Sequence, residues 1–284
     1  MSTAPSTPQP VAALEIAGAR VGYEHRIVCN DVSFSVPAGG FTAIIGPNAC
    51  GKSTLLRAVA RILPYQAGSI ALEGREISKI PTKQLATRLG LLPQSSLSPD
   101  GIRVADLVAR GRYPHQAMFD RWSETDERIV VEAMAATGVG ELSGRLVDEL
   151  SGGQRQRVWV AMVLAQQTPI LLLDEPTTFL DITHQYGLLE LFETLRRDLD
   201  RTIVTVLHDL NQAARYASHL IVMKDGGVVT AGPPAEILTA ELIDEVYELP
   251  CRILADPETG APMVIPKAEL ARPSRGSSIP DTKE

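Results

Sequence analysis

Residues 46 to 54 read Gly-Pro-Asn-Ala-Cys-Gly-Lys-Ser-Thr, an order that suits a loop wrapping an anion between a strand and a helix. The run Phe41–Ile45 before it is apolar and β-prone. The segment after it carries apolar side chains at Leu55, Leu56, Val59, Ile62 and Leu63, which is helical spacing. Strand, loop and helix in that order put the backbone N–H groups of Gly51 and its successors at a helix N-terminus. Unpaired donors and the helix macrodipole favour phosphate there. Gly46, Asn48 and Gly51 belong to this cradle, Lys52 reaches the β- and γ-phosphates, and Ser53 offers its hydroxyl to Mg²⁺. Thr54 serves the α-phosphate side. The feature predicts an α/β chain that binds ATP or GTP.

At 284 residues the chain can bury a large core, as one large domain or two smaller ones. Its net charge of −7 argues against nucleic acid as a main partner. No run approaches the ~20 apolar residues that span a bilayer, and the first ten residues lack a signal peptide's hydrophobic stretch. The expectation is a cytoplasmic chain that reaches a membrane only by docking onto a protein there. Cys29, Cys50 and Cys251 have neither disulfide-framework nor metal spacing and fit a reducing compartment. Cys50, inside the phosphate loop, is either a small filler or a thiol activated by the helix N-terminus.

Residues 1–10 and 268–284 have the composition of disordered tails, which leaves one folded domain over 11–267. It opens with strands near 14–23 and 31–36, read as an antiparallel β layer, and a turn at 37–40. A hairpin turning at Glu73-Gly74 and a strand at Leu89–Leu92 follow the phosphate-loop helix. Residues 95–167 read as an inserted helical subdomain, with one helix capped by Ser123 and Asp126 and stopping at Gly138, and another beginning at Ser151. Strands return at 170–173, 203–207 and 220–223, the last turning at Asp225-Gly226-Gly227. Between the first two lies a helix carrying Leu188, Leu189, Phe192 and Leu195, with Glu193 and Arg197 set for an i,i+4 pair. Apolar strands alternating with amphipathic helices imply a mostly parallel sheet covered on both faces, with no internal repeat.

Two further motifs carry chemistry. The apolar strand at 170–173 ends in Asp174 and Glu175. Beside a phosphate loop, the first carboxylate suits the Mg²⁺ shell and the second suits polarising an attacking water; without that loop, helix capping or a solvated role is an equal reading. Leu150-Ser151-Gly-Gly-Gln-Arg-Gln-Arg157 opens a helix with a serine and two glycines, so Ser151 and Gly153 make a second set of anion donors without a lysine. One phosphate cannot occupy both loops of a single chain if they lie far apart. The natural use of the second is a γ-phosphate presented by another copy. Arg155 and Arg157 read as a solvated helix face.

With this stretch, the phosphate loop and the Asp-Glu strand end together, the sequence resembles the ABC ATPase family over residues 12–267. The resemblance implies a P-loop NTPase core with an N-terminal antiparallel β layer and an inserted helical subdomain. It implies that Tyr23 stacks on adenine, Gln94 senses Mg²⁺ and the water, Asp181 lies in the loop that communicates across a dimer, and His208 contacts the γ-phosphate. Cys50 and Phe179 stand where many members have smaller residues, and are expected to tune packing.

Residues 110–115 (Arg-Gly-Arg-Tyr-Pro-His), then 119–123 (Phe-Asp-Arg-Trp-Ser), and residues 179–185 look like ATPases serving iron-siderophore importers, in the part of the family that docks on membrane subunits. The expectation is an ATP- and Mg²⁺-dependent homodimer on the cytoplasmic face of the membrane. It would drive two permease subunits and, through them, an extracytoplasmic solute-binding protein, with no nucleic-acid partner. Haem and cobalamin importers use close relatives. A soluble ABC ATPase clamping nucleic acid or ribosomes, or an exporter ATPase, is the competing reading.

Overall fold

The computed structural model describes residues 12–24, 26–94, 98–116 and 121–268. In chain order, β1 (Ala12–Tyr23), β2 (Arg26–Pro37) and β3 (Phe41–Ile45) precede α1 (Lys52–Val59). Then come β4 (Tyr65–Leu72), β5 (Arg75–Glu76), α2 (Thr82–Ala86) and β6 (Leu89–Leu92). Three helices follow: α3 (Val104–Ala109), α4 (Glu124–Ala136) and α5 (Gly152–Ala165). The chain continues through β7 (Ile170–Asp174), α6 (Ile182–Leu199), β8 (Thr202–Val206), α7 (Leu210–Tyr216), β9 (His219–Lys224) and β10 (Gly227–Gly232). It closes with α8 (Pro234–Ile237), α9 (Ala240–Tyr247) and the pair β11 (Cys251–Ala255) and β12 (Pro262–Pro266).

The central sheet runs β10-β9-β3-β8-β7-β6, parallel except for the β10–β9 hairpin. Every residue of β3, β7 and β8 is buried, as a sheet covered on both faces requires. Strand alternation then sends Phe41, Ala43 and Ile45 of β3 into one core and Ile44 into the other. The first core joins the sheet to the helical insertion and to α6 and α7. The second joins it to α1 and to an antiparallel sheet ordered β2-β1-β4-β5. In-register parallel pairing of β3, β7 and β8 brings the loops after all three to one edge, where open α/β sheets bind ligands.

Between β6 and β7 only helices and short turns occur among the described residues, apart from one bridge between Arg103 and Leu146. Ser123 caps α4 reciprocally: its hydroxyl accepts from the Asp126 N–H at 3.1 Å, and the Ser123 N–H donates to the Asp126 carboxylate at 3.3 Å. Asp126 also accepts from Arg112 Nε at 2.9 Å, and Arg112 Nη1 donates to the Ala165 carbonyl at the end of α5 at 2.8 Å. One buried guanidinium thus joins the start of α4 to the end of α5. The Gly138 stop is observed, with φ of 65°.

Several local expectations are corrected. α1 ends at Val59: Arg61 turns left-handed (φ 57°), the Ile62 N–H closes on the Arg57 carbonyl, and Ile62 is 65 % exposed. Glu193 pairs with Arg196, whose fork reaches both carboxylate oxygens at 2.6 and 2.7 Å, while Arg197 turns to Asp198. A bidentate contact three residues away outcompetes a single one four away. Arg155 and Arg157 are not a solvated face. They are half-buried and donate to carbonyls, Arg155 to Leu150 and Arg157 to Thr137 and Gly138 at the end of α4. The elements α8 to β12 had no sequence expectation. The proposed tails at 1–10 and 268–284, apart from Ala268, and Ser95, Phe119 and Asp120, lie outside the described residues.

Hydrogen bonds from Ser123 and then Arg112 hold the Asp126 carboxyl below the usual aspartate range. Its contribution to stability is therefore complete above the ordinary aspartate pKa and is lost as pH falls through the depressed value. Arg112→Met leaves a buried carboxylate without its cation and is expected to cost about 3 kcal/mol in urea unfolding at pH 7, with a shallower decline toward acid pH. A loss within experimental scatter would contradict the strut.

Candidate functional site

The loop after β3 is bent by two glycines that admit no side chain. A Cβ at Gly46 would sit 2.1 Å from the Met223 carbonyl oxygen, and one at Gly51, where φ is 107°, would sit 2.6 Å from Cys29 Sγ. The Leu55 N–H closes on the Gly51 carbonyl at 2.9 Å and starts α1, so the loop's N–H groups sit at the helix mouth. Lys52 is only 5 % exposed. Its Nζ donates to the Gly46 and Pro47 carbonyls, each at 2.8 Å, and makes a longer contact of 3.9 Å to Cys50 Sγ, which together fix the ammonium across the loop.

The ends of β7 and β8 and the loop after β6 complete the cleft. Ser53 Oγ donates to Asp174 Oδ1 at 2.7 Å. Asp174 is buried, its Oδ2 has no hydrogen-bond partner among the described residues, and burial raises its pKa, with Glu175 beside it adding to the shift. A buried carboxylate oxygen without a partner, next to a serine hydroxyl, fits a hard cation that keeps most of its other ligands as water and phosphate. Glu175 sits in the left-handed region (φ 54°), a strained conformation for a glutamate and of the kind that gathers at functional sites. One carboxylate oxygen lies 2.6 Å from His208 Nε2, and the other accepts from Gln94 Nε2 at 2.8 Å. Tyr23, half exposed at the rim, accepts from Arg57 Nη1 at 3.2 Å. Tyr23, Asn48, Gly51, Lys52, Ser53, Thr54, Gln94, Glu175 and His208 thus face one cleft of about 660 Å³, with Asp174 beneath its floor.

Ser151, Gly153 and Asp181 lie elsewhere. They line a separate depression of about 600 Å³ with Gln154, Phe179 and His184, and it shares no lining residue with the cleft. Ser151 caps α5 with its hydroxyl, accepting from the Gln154 N–H at 3.3 Å. Asp181 caps α6, accepting from the His184 N–H at 2.9 Å and lying 2.6 Å from His184 Nδ1, contacts that hold its carboxyl below the usual range. Phe179 does not pack inward: it is 74 % exposed and rests against the bare backbone of Gly152.

Sequence reasoning passed over several partners of these groups. Gln156 donates to the Pro176 carbonyl from the far side of the Glu175 loop, and Arg26 and Val28 line the cleft wall. None carries a local signature, because each acts through tertiary contact. The patch at 110–123 is also rearranged. Tyr113 and Trp122 are 60 % and 43 % exposed, whereas Arg112 is the buried strut described above. No helix among the described residues is long and apolar enough to cross a membrane.

A family model described as ABC transporter matches residues 29–178. The chain is 52 % identical over 270 residues to the ferric enterobactin transport ATP-binding protein FepC of Escherichia coli (strain K12), covering 95 % of this chain and 99 % of that one. It is 46 % identical over 256 residues to the probable siderophore transport system ATP-binding protein YusV of Bacillus subtilis (strain 168), covering 90 % and 93 %. Among solved structures, an inward-facing ABC transporter assigned to the metal-chelate type superposes with a TM-score of 0.77 at 27 % identity, covering 91 % of this chain and 98 % of that one.

Of the two readings of Cys50, the buried filler holds. The thiol is buried and its pKa is raised, first by desolvation, and burial also raises Cys251 and pushes Cys29 up to about 11. All three thiols are expected to react slowly with a disulfide reagent at pH 8 in the folded protein and at once after denaturation. One fast equivalent in the native protein would contradict this.

Proposed function

This chain belongs to the ABC transporter family, and we propose that it is the ATP-hydrolysing subunit that powers a membrane permease importing iron-siderophore complexes. The observation that carries the ATPase half is the cleft. It joins an anion loop, a buried lysine, a carboxylate with an orphaned oxygen and a second carboxylate held by Gln94 and His208. The likeness to the enterobactin and siderophore relatives supports the solute, in preference to haem or cobalamin.

In this reading Tyr23 offers its ring to adenine at the rim. The backbone of Gly46, Asn48, Gly51 and Thr54 cradles the phosphates, and Lys52 exchanges its weak contact with Cys50 Sγ for a phosphate oxygen. Ser53 and Asp174, with Gln94 beside them, hold Mg²⁺, which neutralises charge on the phosphate oxygens when bound. Glu175 takes the proton of the attacking water, because a carboxylate held in place by His208, Gln94 and Thr178 is positioned to accept one. His208 steadies Glu175 and reaches the γ-phosphate. Ser151, Gly153 and Asp181 face away from the cleft of their own chain, so they serve the nucleotide of a second copy, and two chains enclose two ATP molecules.

ATP favours the closed pair and hydrolysis releases it, so differential binding becomes motion in two attached permease subunits. Tyr113 and Trp122, exposed on the helical insertion, suit the permease contact, and the solute-binding protein meets the permease on the other side of the membrane. In this reading the chain is a peripheral subunit on the cytoplasmic face. The net charge of −7 disfavours a nucleic-acid clamp.

Glu175→Gln is expected to keep ATP binding and lose about two to four decades of turnover. Lys52→Ala is expected to lose nucleotide affinity itself, measured by equilibrium binding of a fluorescent ATP analogue. Tagged Glu175→Gln protein, captured from detergent-solubilised native membranes with MgATP, should bring down a polytopic permease and an iron-chelate receptor, read by mass spectrometry. Recovery of ribosomes or nucleic-acid proteins without a permease would overturn the import reading.

A further inference from the structure

Two glutamines outside the cleft form a chain of side-chain amides between the loop bearing Asp181 and the loop bearing His208. Gln212 of α7 is 4 % exposed, and its Nε2 donates to Gln185 Oε1 at 2.9 Å. Gln185 of α6 then donates through Nε2 to the Leu180 carbonyl at 3.1 Å. The Leu180 carbonyl can only accept, so Gln185 must present its amine there and its oxygen to Gln212, which must donate. The direction of both bonds is therefore fixed by one backbone atom.

Each end of the chain reaches the chemistry by a short covalent path. Leu180 precedes Asp181, and its N–H closes on Thr177 within the turn that starts at Glu175. The Gln212 N–H donates to Asp209 Oδ1 at 2.9 Å, and Asp209 follows His208, whose ring lies 2.6 Å from Glu175. The result is a closed ring through Glu175, His208, Asp209, Gln212, Gln185 and Leu180. Its α7 side is anchored in turn by Asn211, whose side chain both accepts from the Val264 N–H at 2.7 Å and donates to the Val264 carbonyl at 3.3 Å.

We propose that Gln185 and Gln212 are positioning residues that hold the Leu180–Asp181 loop in register with His208, so that the two sides of the nucleotide site move together. This rests on the roles given above to Glu175 and His208. A buried amide whose side-chain partner among the described residues is another amide is costly to orphan, so the pair resists sliding of α7 against the start of α6. Neither side chain lines the cleft, so nucleotide affinity does not depend on them directly.

Gln185→Met and Gln212→Met keep volume and remove the amide, and Gln185→Glu at the half-buried position keeps an acceptor for Gln212 while losing the donor to Leu180. The readout is MgATP hydrolysis by the full chain with the membrane subunits it co-purifies with, alongside thermal stability. Each variant is expected to lose kcat by about 10- to 100-fold with KM for MgATP nearly unchanged. The double Met variant is expected to fall no more than about threefold below the worse single one, because both substitutions break one chain of bonds. Folded single variants with normal kcat, a loss confined to KM, or losses that multiply in the double variant would overturn the proposal. Absence of hydrolysis in the unaltered protein, or full turnover in Glu175→Gln, would instead overturn the ATPase reading and this one with it.

Discussion

The hydrogen bond from Ser53 to Asp174 joins the first helix after one buried strand to the end of another, across 121 residues of sequence. It can form only because β3, β8 and β7 pair in parallel register and end at the same edge. Everything chemical in the cleft depends on that alignment. A slip of one residue in β7 would turn Asp174 to the opposite face of the sheet and replace it with an apolar side chain. Complete burial of these strands makes such a slip costly, so the hydrophobic core and the position of the Asp174 carboxylate are specified together.

Low dielectric in the cleft works in two ways. It raises the Asp174 pKa and leaves Asp174 Oδ2 without a partner, a local cost that a bound cation removes. It also makes the contact of buried Glu175 with Gln94 stronger than it would be in water. The left-handed backbone at Glu175 adds strain at the same point. These features describe a site held in readiness by the surrounding fold, with glutamines from the loop after β6, from α5 and from α6 fastening one short loop from different directions.

Much of this was legible in the sequence because it is encoded locally. The phosphate loop, the Asp174-Glu175 strand end, the Ser151 cap and the alternation of buried strands with amphipathic helices each occupy a short contiguous stretch. Interactions between distant stretches were not legible. Arg112 fell in the stretch read as docking on membrane subunits and is a buried strut, because its partners Asp126 and Ala165 lie 14 and 53 residues away. Arg155 and Arg157 looked solvated and instead satisfy backbone carbonyls. The β11–β12 hairpin escaped notice because its strands are mostly not buried and lack the continuous apolar run of β3, β7 and β8, and part of its anchorage is the side chain of Asn211 on α7. Gln185 and Gln212 are ordinary helix residues until the fold places one against the other.

The separation of the Ser151–Gly153 depression from the cleft of the same chain makes the two-chain site the central claim. Sedimentation velocity of the Glu175→Gln chain with MgATP tests it most directly. A dimer with ATP but not with ADP is expected, lost on adding Ser151→Arg although the monomer still binds ATP. A chain that saturates with ATP and remains monomeric, or a dimer indifferent to Ser151→Arg, would contradict it.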